Sequence, residues 1–202
     1  MERERIGIYG GTFSPPHLGH VRAAESFATA ISLDRLLIIP DFLPPHKKID
    51  GGASECDRLR MCELAFSHIQ KAEISTLEID RGGKSYTALT LTELSRDGRE
   101  LYFLVGTDMF LTLDTWYAPE TIFKLAVICY VRRESDAYND ALIMRKSDEY
   151  RKRYGARVIA IESDAIEVSS SEIRELIKTP HLAKKYLSQS VYDYITEKEL
   201  YK

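Results

Sequence analysis

Two glycines and two histidines near the amino terminus have the types and the spacing of a phosphate-binding site. They belong to the segment IGIYGGTFSPPHLGH, residues 6–20, in which Gly10 and Gly11 end an apolar stretch and His17 and His20 follow. Glycines let backbone N–H groups approach an anion without interference from a Cβ, and a helix N-terminus adds partial positive charge. The histidines can donate hydrogen bonds to phosphate oxygens while adding at most part of a charge. This arrangement predicts a polyphosphate ligand.

Other kinds of site can be built from the same residues. A Gly-Gly pair by itself is typical of a simple turn. His17 and His20 could be zinc ligands with His46 as a third, although no cysteine or carboxylate stands at ligand spacing beside the pair. The glycines match neither the P-loop pattern nor the dinucleotide-binding pattern GxGxxG. Kinase-like and dehydrogenase-like sites are therefore disfavoured.

Short apolar runs alternate with helical patterns along the chain and must position these residues. The runs cover residues 6–9, 36–39, 74–79, 101–105, 126–131 and 158–161. The alternation predicts an α/β fold with a doubly wound, mostly parallel sheet and helices on both faces. Ligands of such folds collect at the carboxyl ends of strands, near a switch in strand order. Gly10, Gly106 and the loop after Val131 lie at such ends.

Three stripes of apolar residues at helical spacing predict packing helices between and after the strands. The stripes are Val21, Ala24, Ala28 and Ile31, then Met61, Leu64, Ala65 and Ile69, and finally Val191, Tyr194 and Ile195. Ser54 is positioned to cap the second of these helices. Residues 145–154 are rich in charges of both signs, which predicts a solvated helix face without a function.

Composition and charge bound the class of protein. With 202 residues and a net charge of −3, the chain is predicted to form a single domain, residues 1–202, without a broad basic field for nucleic acid. Because no run of about 18 apolar residues is present, no membrane partner is expected and a cytoplasmic location is predicted. The three scattered cysteines are predicted to be reduced thiols. The oligomeric state stays open.

Two segments of the chain resemble the motifs of one enzyme family. Residues 10–20, GGTFSPPHLGH, resemble the signature of nucleotidyltransferases with an HxGH motif, and GGTF-x-PPH is similar to the form found in nicotinate mononucleotide adenylyltransferases. Residues 168–174, VSSSEIR, resemble that family's I-S-S-T-x-I-R, with mild departures at Val168 and Ser171. At Ser14 the family usually has Asp, so this loop lacks a carboxylate. The resemblance extends from residue 6 to near residue 195 in the same motif order.

The resemblance implies a set of residues around ATP. His17, His20 and Arg174 are the implied catalytic residues, which would hydrogen-bond the phosphates as negative charge shifts during the reaction. The implied ATP-binding residues are Gly10, Gly11, Thr12, Phe13, Gly106, Asp108, Ser170 and Ser171. Gly106 and Asp108 would contact the ribose, although Asp108 could equally be the N-cap of the next helix.

The resemblance also implies a set of residues around the pyridine nucleotide. These are Lys47, Ser85, Tyr86, Thr87 and Trp116. Lys47 would lie near phosphates, with His46 a weaker candidate and Lys48 in solvent. The segment GGKSYT, residues 82–87, is similar to the family's P-S-Y-T, with Lys84 where Pro is common. The resemblance implies that its backbone amides face the pyridine carboxylate. Ser85 or Thr87 could also cap the helix that follows. Trp116 would stack on the ring, although a lone Trp is also typical of a core.

The implied reaction is adenylyl transfer from ATP to nicotinate mononucleotide. It would form nicotinate adenine dinucleotide and pyrophosphate in NAD biosynthesis by direct in-line attack, without a covalent enzyme intermediate. Mg²⁺ is expected to bind mainly through the ATP phosphates, because the sequence has no evident carboxylate cage for a metal. Three alternatives stay open: a preference for nicotinamide mononucleotide, a phosphopantetheine adenylyltransferase, and a non-catalytic nucleotide sensor, for which Ser14 is the best argument.

Overall fold

The core of the protein is a parallel β-sheet. A computed structural model describes residues 3–45, 52–96, 98–132, 140–164, 166 and 168–202. The strands are Glu4–Gly11 (β1), Arg35–Pro40 (β2), Ala72–Ile74 (β3), Arg99–Gly106 (β4), Ala126–Arg132 (β5) and Val158–Glu162 (β6). They form one sheet in the order β3-β2-β1-β4-β5-β6, and every neighbouring pair is parallel.

Helices cover both faces of this sheet. They are Leu18–Ile31 (α1), Glu55–Phe66 (α2), Leu77–Arg81 (α3), Thr87–Leu94 (α4), Thr107–Leu111 (α5), Pro119–Leu125 (α6), Asp140–Tyr154 (α7), Ser170–Leu176 (α8), Pro180–Ala183 (α9) and Gln189–Glu197 (α10). A 3₁₀ turn covers Leu113–Thr115. Buried residues of α1, α2, α8, α9 and α10 form the core on one face, and those of α4 to α7 form the core on the other. The predicted doubly wound α/β fold is confirmed.

The strand order reverses beside β1. The chain passes from β1 outward to β2 and β3, and then returns to place β4 on the other side of β1. A crevice for ligands opens at such a reversal, outside the carboxyl ends of the two central strands. Gly11 ends β1 and Gly106 ends β4, so both predicted nucleotide-binding turns lie at this edge.

One predicted strand is mostly wrong. The run at residues 74–79, ISTLEI, is rich in apolar and β-branched residues, which favours a strand, but β3 ends at Ile74 and a helical turn begins at Leu77. The Thr76 hydroxyl donates to the Asp80 carboxylate at 2.6 Å, a pairing four residues apart that stabilises a helical turn. The strand β3 is therefore three residues long and lies at the edge of the sheet, beside β2.

The predicted helices are present with small differences at their ends. Val21, Ala24 and Ile31 are buried on α1, and Val191 and Ile195 are buried on α10. The Ser54 hydroxyl caps α2 as predicted, by accepting a hydrogen bond from the Asp57 N–H. In the second predicted stripe only Ile69 lies beyond its helix, which ends at Phe66. Within the described ranges, none of the helices has the length and apolar content that crossing a bilayer requires.

Candidate active site

The two motif histidines form the amino-terminal cap of α1. His17 is the N-cap residue, and its Nδ1 accepts a hydrogen bond from the His20 backbone N–H at 3.3 Å. The Nδ1 of His20 accepts in return from the His17 backbone N–H at 3.2 Å. The two rings stack with centroids 3.6 Å apart. Because Nδ1 accepts in both residues, the proton of each neutral ring lies on Nε2, which becomes a hydrogen-bond donor.

The start of α1 is held tightly against the carboxyl-terminal part of the chain. The Leu18 N–H donates to the Tyr186 carbonyl at 2.8 Å. A Cβ on Gly19 would lie 2.6 Å from the Ile166 carbonyl oxygen, so only glycine fits at this point of the HxGH motif. Phe13 packs edge-on against His20, with ring centroids 5.1 Å apart. The histidines are therefore fixed by their backbone, their neighbours and each other.

The second motif meets the first through hydrogen bonds to the loop before His17. Arg174 Nη1 donates to the Ser14 carbonyl at 2.9 Å, and the Ser170 hydroxyl donates to the Pro15 carbonyl at 2.9 Å. Arg174 Nη2 also donates to the Ser171 hydroxyl at 3.1 Å. Ser170 and Ser171 lie in the first turn of α8, as predicted. The structure thus brings residues about 155 positions apart in sequence to one loop.

Ser14 is bonded to the end of the chain. Its hydroxyl lies 3.0 Å from the Tyr201 hydroxyl, and both side chains are buried. Burial raises the pKa of Tyr201 to about 12, so the phenol stays protonated at neutral pH. A neutral pair of hydroxyls therefore occupies the position where the resembling family usually has a carboxylate.

The β4 end of the crevice is more open. Gly106 is the N-cap of α5, and Asp108 lies exposed in its first turn, so the alternative in which Asp108 caps this helix is wrong. The buried Thr107 hydroxyl donates to the Val131 carbonyl at 2.9 Å, which fastens this turn to β5. Gly106 and Asp108 are thus presented beside the carboxyl end of β1, where the sequence predicts the nucleotide.

The segment before α4 is docked on the loop after β2. The buried Ser85 hydroxyl accepts from the Phe42 N–H at 2.9 Å, and the Ser85 N–H donates to the Leu43 carbonyl at 2.9 Å. Helix α4 begins at Thr87 with Tyr86 at its N-cap, and no side chain caps it. The predicted cap by Ser85 or Thr87 is wrong, because the Ser85 hydroxyl is committed to the β2 loop and Thr87 already lies inside the helix.

Trp116 lies across from this segment. It follows the 3₁₀ turn, is half-buried, and contacts the edge of Phe103 with ring centroids 6.3 Å apart. Its neighbour Tyr117 is exposed and packs on Tyr86, with ring centroids 4.5 Å apart. The structure therefore brings the predicted pyridine-binding segments, residues 85–87 and Trp116, to one side of the crevice. Lys47 and its neighbours His46 and Lys48 lie outside the described residues.

Comparisons with known proteins match the chain over nearly its whole length. The cytidylyltransferase-like family matches residues 8–176. A probable nicotinate-nucleotide adenylyltransferase of Listeria monocytogenes is 34% identical over 201 residues, covering 98% of each chain. The chain belongs to the nicotinate-nucleotide adenylyltransferase family. Another relative of the same name, from Caldicellulosiruptor saccharolyticus, is 33% identical over 98% of this chain and 99% of its own.

A solved structure of the family has the same fold. The chain superposes on the Plasmodium falciparum nicotinic acid mononucleotide adenylyltransferase complexed with NaAD with a TM-score of 0.77. The match covers 98% of this chain and 97% of that one at 19% sequence identity. Membership of the adenylyltransferase family confirms the predicted nucleotidyltransferase class and the Rossmann-like fold.

Several residues of the adenylyltransferase site were not anticipated from the motifs. Asp41 follows β2, and its carboxylate accepts from the Thr12 hydroxyl at 2.7 Å. Arg58 of α2 is completely buried beneath the same loop. Its position three and four residues before the buried Met61 and Cys62 was the available signal, because that spacing places a charged residue on the apolar face of α2.

Glu78 is the other unanticipated group, and it lies below the pyridine side. Its buried carboxylate accepts a hydrogen bond from the Thr90 hydroxyl. Burial raises the pKa of Glu78, although hydrogen bonds from Thr90 and Ser85 oppose the effect. In the described part of the chain, no three His, Cys, Asp or Glu side chains are grouped so that they could hold a metal ion.

Proposed function

We propose that this chain transfers the adenylyl group of ATP to nicotinate mononucleotide, with pyrophosphate as the second product, as a step of NAD biosynthesis. One observation carries the proposal: Arg174 and Ser170 bond the loop that leads into the stacked His17–His20 pair. Hydrogen-bond donors from two distant parts of the chain therefore meet at one loop beside the carboxyl end of β1, which supports a shared phosphate site there. The full-length similarity to probable nicotinate-nucleotide adenylyltransferases supports the choice of substrates.

The chemistry needs positioning and charge stabilisation rather than a protein nucleophile. An oxygen of the mononucleotide 5′-phosphate forms a bond to the α-phosphorus of ATP, and the bond from that phosphorus to the oxygen of the leaving pyrophosphate breaks. The attacking oxygen is already an anion at neutral pH, so a general base has little to contribute. Fixed donors and correct alignment supply the acceleration in such reactions.

The histidines and Arg174 are the donors that we assign to the phosphates. Nε2–H of His17 and His20 would bond oxygens between the α- and β-phosphates, where negative charge grows as pyrophosphate leaves. Two N–H groups of Arg174 hold Ser14 and Ser171, and its planar fork offers further N–H groups to the β- and γ-phosphates. Ser170 and Ser171 would stand beside these phosphates, and Gly106 and Asp108 beside the ribose.

The pyridine side supports recognition of an acid rather than an amide. The first N–H groups of a helix have no intrahelical partner, and α4 has no side-chain cap to bond them. We assign those of Thr87 and Ala88 to the carboxylate of the nicotinate ring, with Trp116 stacked on the ring. A carboxamide would present its own N–H donors to these donors and would bind more weakly.

Mg²⁺ fits this site through the phosphates of ATP. Because no grouped metal ligands occur among the described residues, the protein would bind the ion indirectly, through the nucleotide that His17, His20 and Arg174 hold. When bound, the ion supplies neutralisation of charge on the phosphate oxygens.

The decisive experiment offers both mononucleotides to the purified chain. Mg-ATP is mixed with nicotinate mononucleotide or nicotinamide mononucleotide, and released pyrophosphate is measured over time. The proposal expects rapid release with the acid and a kcat/KM at least about tenfold lower with the amide. Release with the amide alone would reassign the substrate, and release only with 4′-phosphopantetheine would indicate that other adenylyltransferase class. Nucleotide binding without release in any mixture would indicate a sensor.

A further inference from the structure

Arg58 is a buried cation whose three side-chain hydrogen bonds to described residues reach the glycine-rich loop or the residue after β2. Its side chain is 0% exposed although it lies on α2, at the outside of the sheet. Nη1 donates to the Thr12 carbonyl at 2.9 Å and to Asp41 Oδ1 at 3.1 Å. Nη2 donates to the Asp41 carbonyl at 2.6 Å. One guanidinium thus joins the loop after β1 to the residue after β2.

Asp41 completes this connection from the other strand. Its Oδ2 accepts from the Thr12 hydroxyl at 2.7 Å, and its backbone N–H donates to the Gly11 carbonyl at 3.0 Å. Two successive carbonyls of the loop, those of Gly11 and Thr12, are therefore both held by groups on the α2 and β2 side. Burial makes these bonds strong and leaves the loop little freedom to rotate.

Holding the carbonyls also orients the amides. In a trans peptide the C=O and the following N–H point in opposite directions, and the Gly11–Thr12 and Thr12–Phe13 peptides are both trans. The N–H groups of Thr12 and Phe13 are therefore turned away from Arg58 and Asp41. Successive N–H groups directed to one side are an arrangement that binds anions. Phe13 has a φ of 48°, a left-handed conformation that persists in a non-glycine residue only where its surroundings enforce it.

We propose that Arg58 is a positioning residue for adenylyl transfer, which aims the N–H groups of Thr12 and Phe13 at the phosphates of ATP by holding the Thr12 carbonyl and Asp41. This inference rests on the proposed function, because it takes the anion at the loop to be ATP. Arg58 itself touches no substrate. A guanidinium serves this purpose where an ammonium would not, because its planar fork binds three separate acceptors in fixed directions.

The first test compares Arg58→Lys with Arg60→Lys. Lysine keeps the charge but cannot bond all three acceptors. Arg60 lies on the same helix, is exposed, and forms an ion pair with Glu63 three residues on, so its variant is the matched control. Steady-state pyrophosphate release gives kcat and KM for each substrate. Calorimetry gives the affinity for ATP and for nicotinate mononucleotide separately, and thermal unfolding shows that each variant is folded.

We expect Arg58→Lys to weaken the binding and use of ATP and to slow the reaction, while the binding of nicotinate mononucleotide is unchanged. In Arg58→Lys the kcat/KM for ATP should fall about 100-fold, because a small misplacement of aligned groups costs this much. The affinity for nicotinate mononucleotide should stay within about twofold of the wild type, since the loop amides contact the other substrate. Arg60→Lys should match the wild type in all three measurements.

A second pair of variants leaves the buried ion pair intact, in case Arg58→Lys does not fold. Thr12→Val removes the hydroxyl that donates to Asp41 and keeps the side-chain shape, while Thr12→Ser keeps the hydroxyl. Thr12→Ser should exceed Thr12→Val in kcat/KM for ATP by about tenfold, the worth of a hydrogen bond to a charged group. Equal rates for the two Thr12 variants would show that the connection through Asp41 does not position the loop, and would overturn that part of the proposal.

Two further outcomes separate this inference from the proposed function. One contrary result is that Arg58→Lys lowers the melting temperature but keeps kcat/KM within twofold, and another is that it weakens the binding of ATP and of nicotinate mononucleotide equally. Either result would mean that Arg58 only stabilises the fold, and the inference would be wrong. If the wild type binds ATP but releases no pyrophosphate, the proposed function fails while calorimetry still decides the inference. ATP affinity lost in Arg58→Lys and kept in Arg60→Lys would support it, and equal ATP affinity in both would overturn it.

Discussion

The two ends of the crevice are built in different ways. At the phosphate end, Arg58, Ser14 and His17 are buried, and hydrogen bonds from three distant parts of the chain fix one loop. At the pyridine end, Trp116 is half-buried, and the side chain of Tyr117 is 54% exposed. One end is rigid before any substrate arrives, and the other presents aromatic faces to solvent.

This difference corresponds to two physical tasks. Charge that develops on phosphates during the reaction is stabilised best by hydrogen-bond donors that are already in place, because rearranging them would cost free energy at the transition state. A pyridine ring needs a flat apolar surface and room to enter, which exposed aromatic side chains provide. We therefore expect changes at the phosphate end to affect rate, and changes at the pyridine end to affect the KM of one substrate.

The largest expected effect comes from His20. In His20→Asn the side-chain oxygen can still accept from the His17 N–H, while the Nε2 donor is lost. The kcat/KM should fall roughly 100-fold or more. This corresponds to a loss of about 2.7 kcal/mol of transition-state stabilisation, as for other single donors to a developing charge. His20→Ala should show at least this loss and also a lower melting temperature, because the cap of α1 goes too. A near-normal rate in His20→Asn would remove His20 from the catalytic set.

A smaller and more selective effect is expected at Trp116. Trp116→Ala should raise the KM for the mononucleotide about tenfold while the KM for ATP changes less than twofold, because stacking on a ring is lost at one end only. Trp116→Phe, which keeps an aromatic face, serves as the control, and its KM for the mononucleotide should lie between those of the wild type and Trp116→Ala. Equal increases for both substrates would mean that Trp116 acts as a core residue, and the contrast between the two ends would disappear.

Lys146 should have a weaker effect at the same end. It pairs with Asp114 at 3.0 Å, and the Tyr150 hydroxyl donates to the same carboxylate, which fastens α7 to the turn just before Trp116. Lys146→Met should raise the mononucleotide KM about twofold to threefold with kcat unchanged, since a partly exposed ion pair is worth less than 1 kcal/mol. Lys152→Met, at an exposed position of the same helix, is the control. A fall in kcat instead would show that α7 supports the phosphate end.

The smallest effect concerns Glu78, a buried carboxyl below the pyridine end. Burial raises its pKa above the ordinary 4.5, so as the pH rises past this value the unfolded chain ionises first and the folded state loses stability. Glu78→Gln cannot ionise and escapes this loss. The melting temperature of the variant minus that of the wild type should therefore increase between pH 4.5 and pH 7.5. A difference that decreases over this range would mean that the charged form is favoured in the folded protein.

The sequence predicts most of the sheet but only the local part of the site. Buried parallel strands are recognisable because their apolar runs are continuous, as in β4 and β5. The prediction for the third run failed because a short mixture of apolar, β-branched and polar residues also fits a helical turn, and the Thr76–Asp80 pair favours the turn. The HxGH and SSSEIR segments were found because each motif is contiguous.

The residues that hold the glycine-rich loop in place could not be predicted from contiguous motifs, because they lie far from the loop in sequence. Arg58 bonds a carbonyl 46 residues away, and Tyr201 bonds a hydroxyl 187 residues away. Such contacts depend on how the helices pack on the sheet. Hydrophobic periodicity predicts which face of a helix is buried, but not which residues that face will contact. A charged residue within an apolar stripe is the one local sign, and it applies to Arg58 but not to Tyr201.

The bond between Ser14 and Tyr201 has a consequence for the order of events in a cell. Translation runs from the amino end, so the glycine-rich loop is made 187 residues before the tyrosine whose hydroxyl bonds Ser14, and domains fold as the chain emerges. A nascent chain halted before residue 201 would have its sheet but an unbraced catalytic loop. The loop would then gain this hydrogen bond only after translation passes that tyrosine.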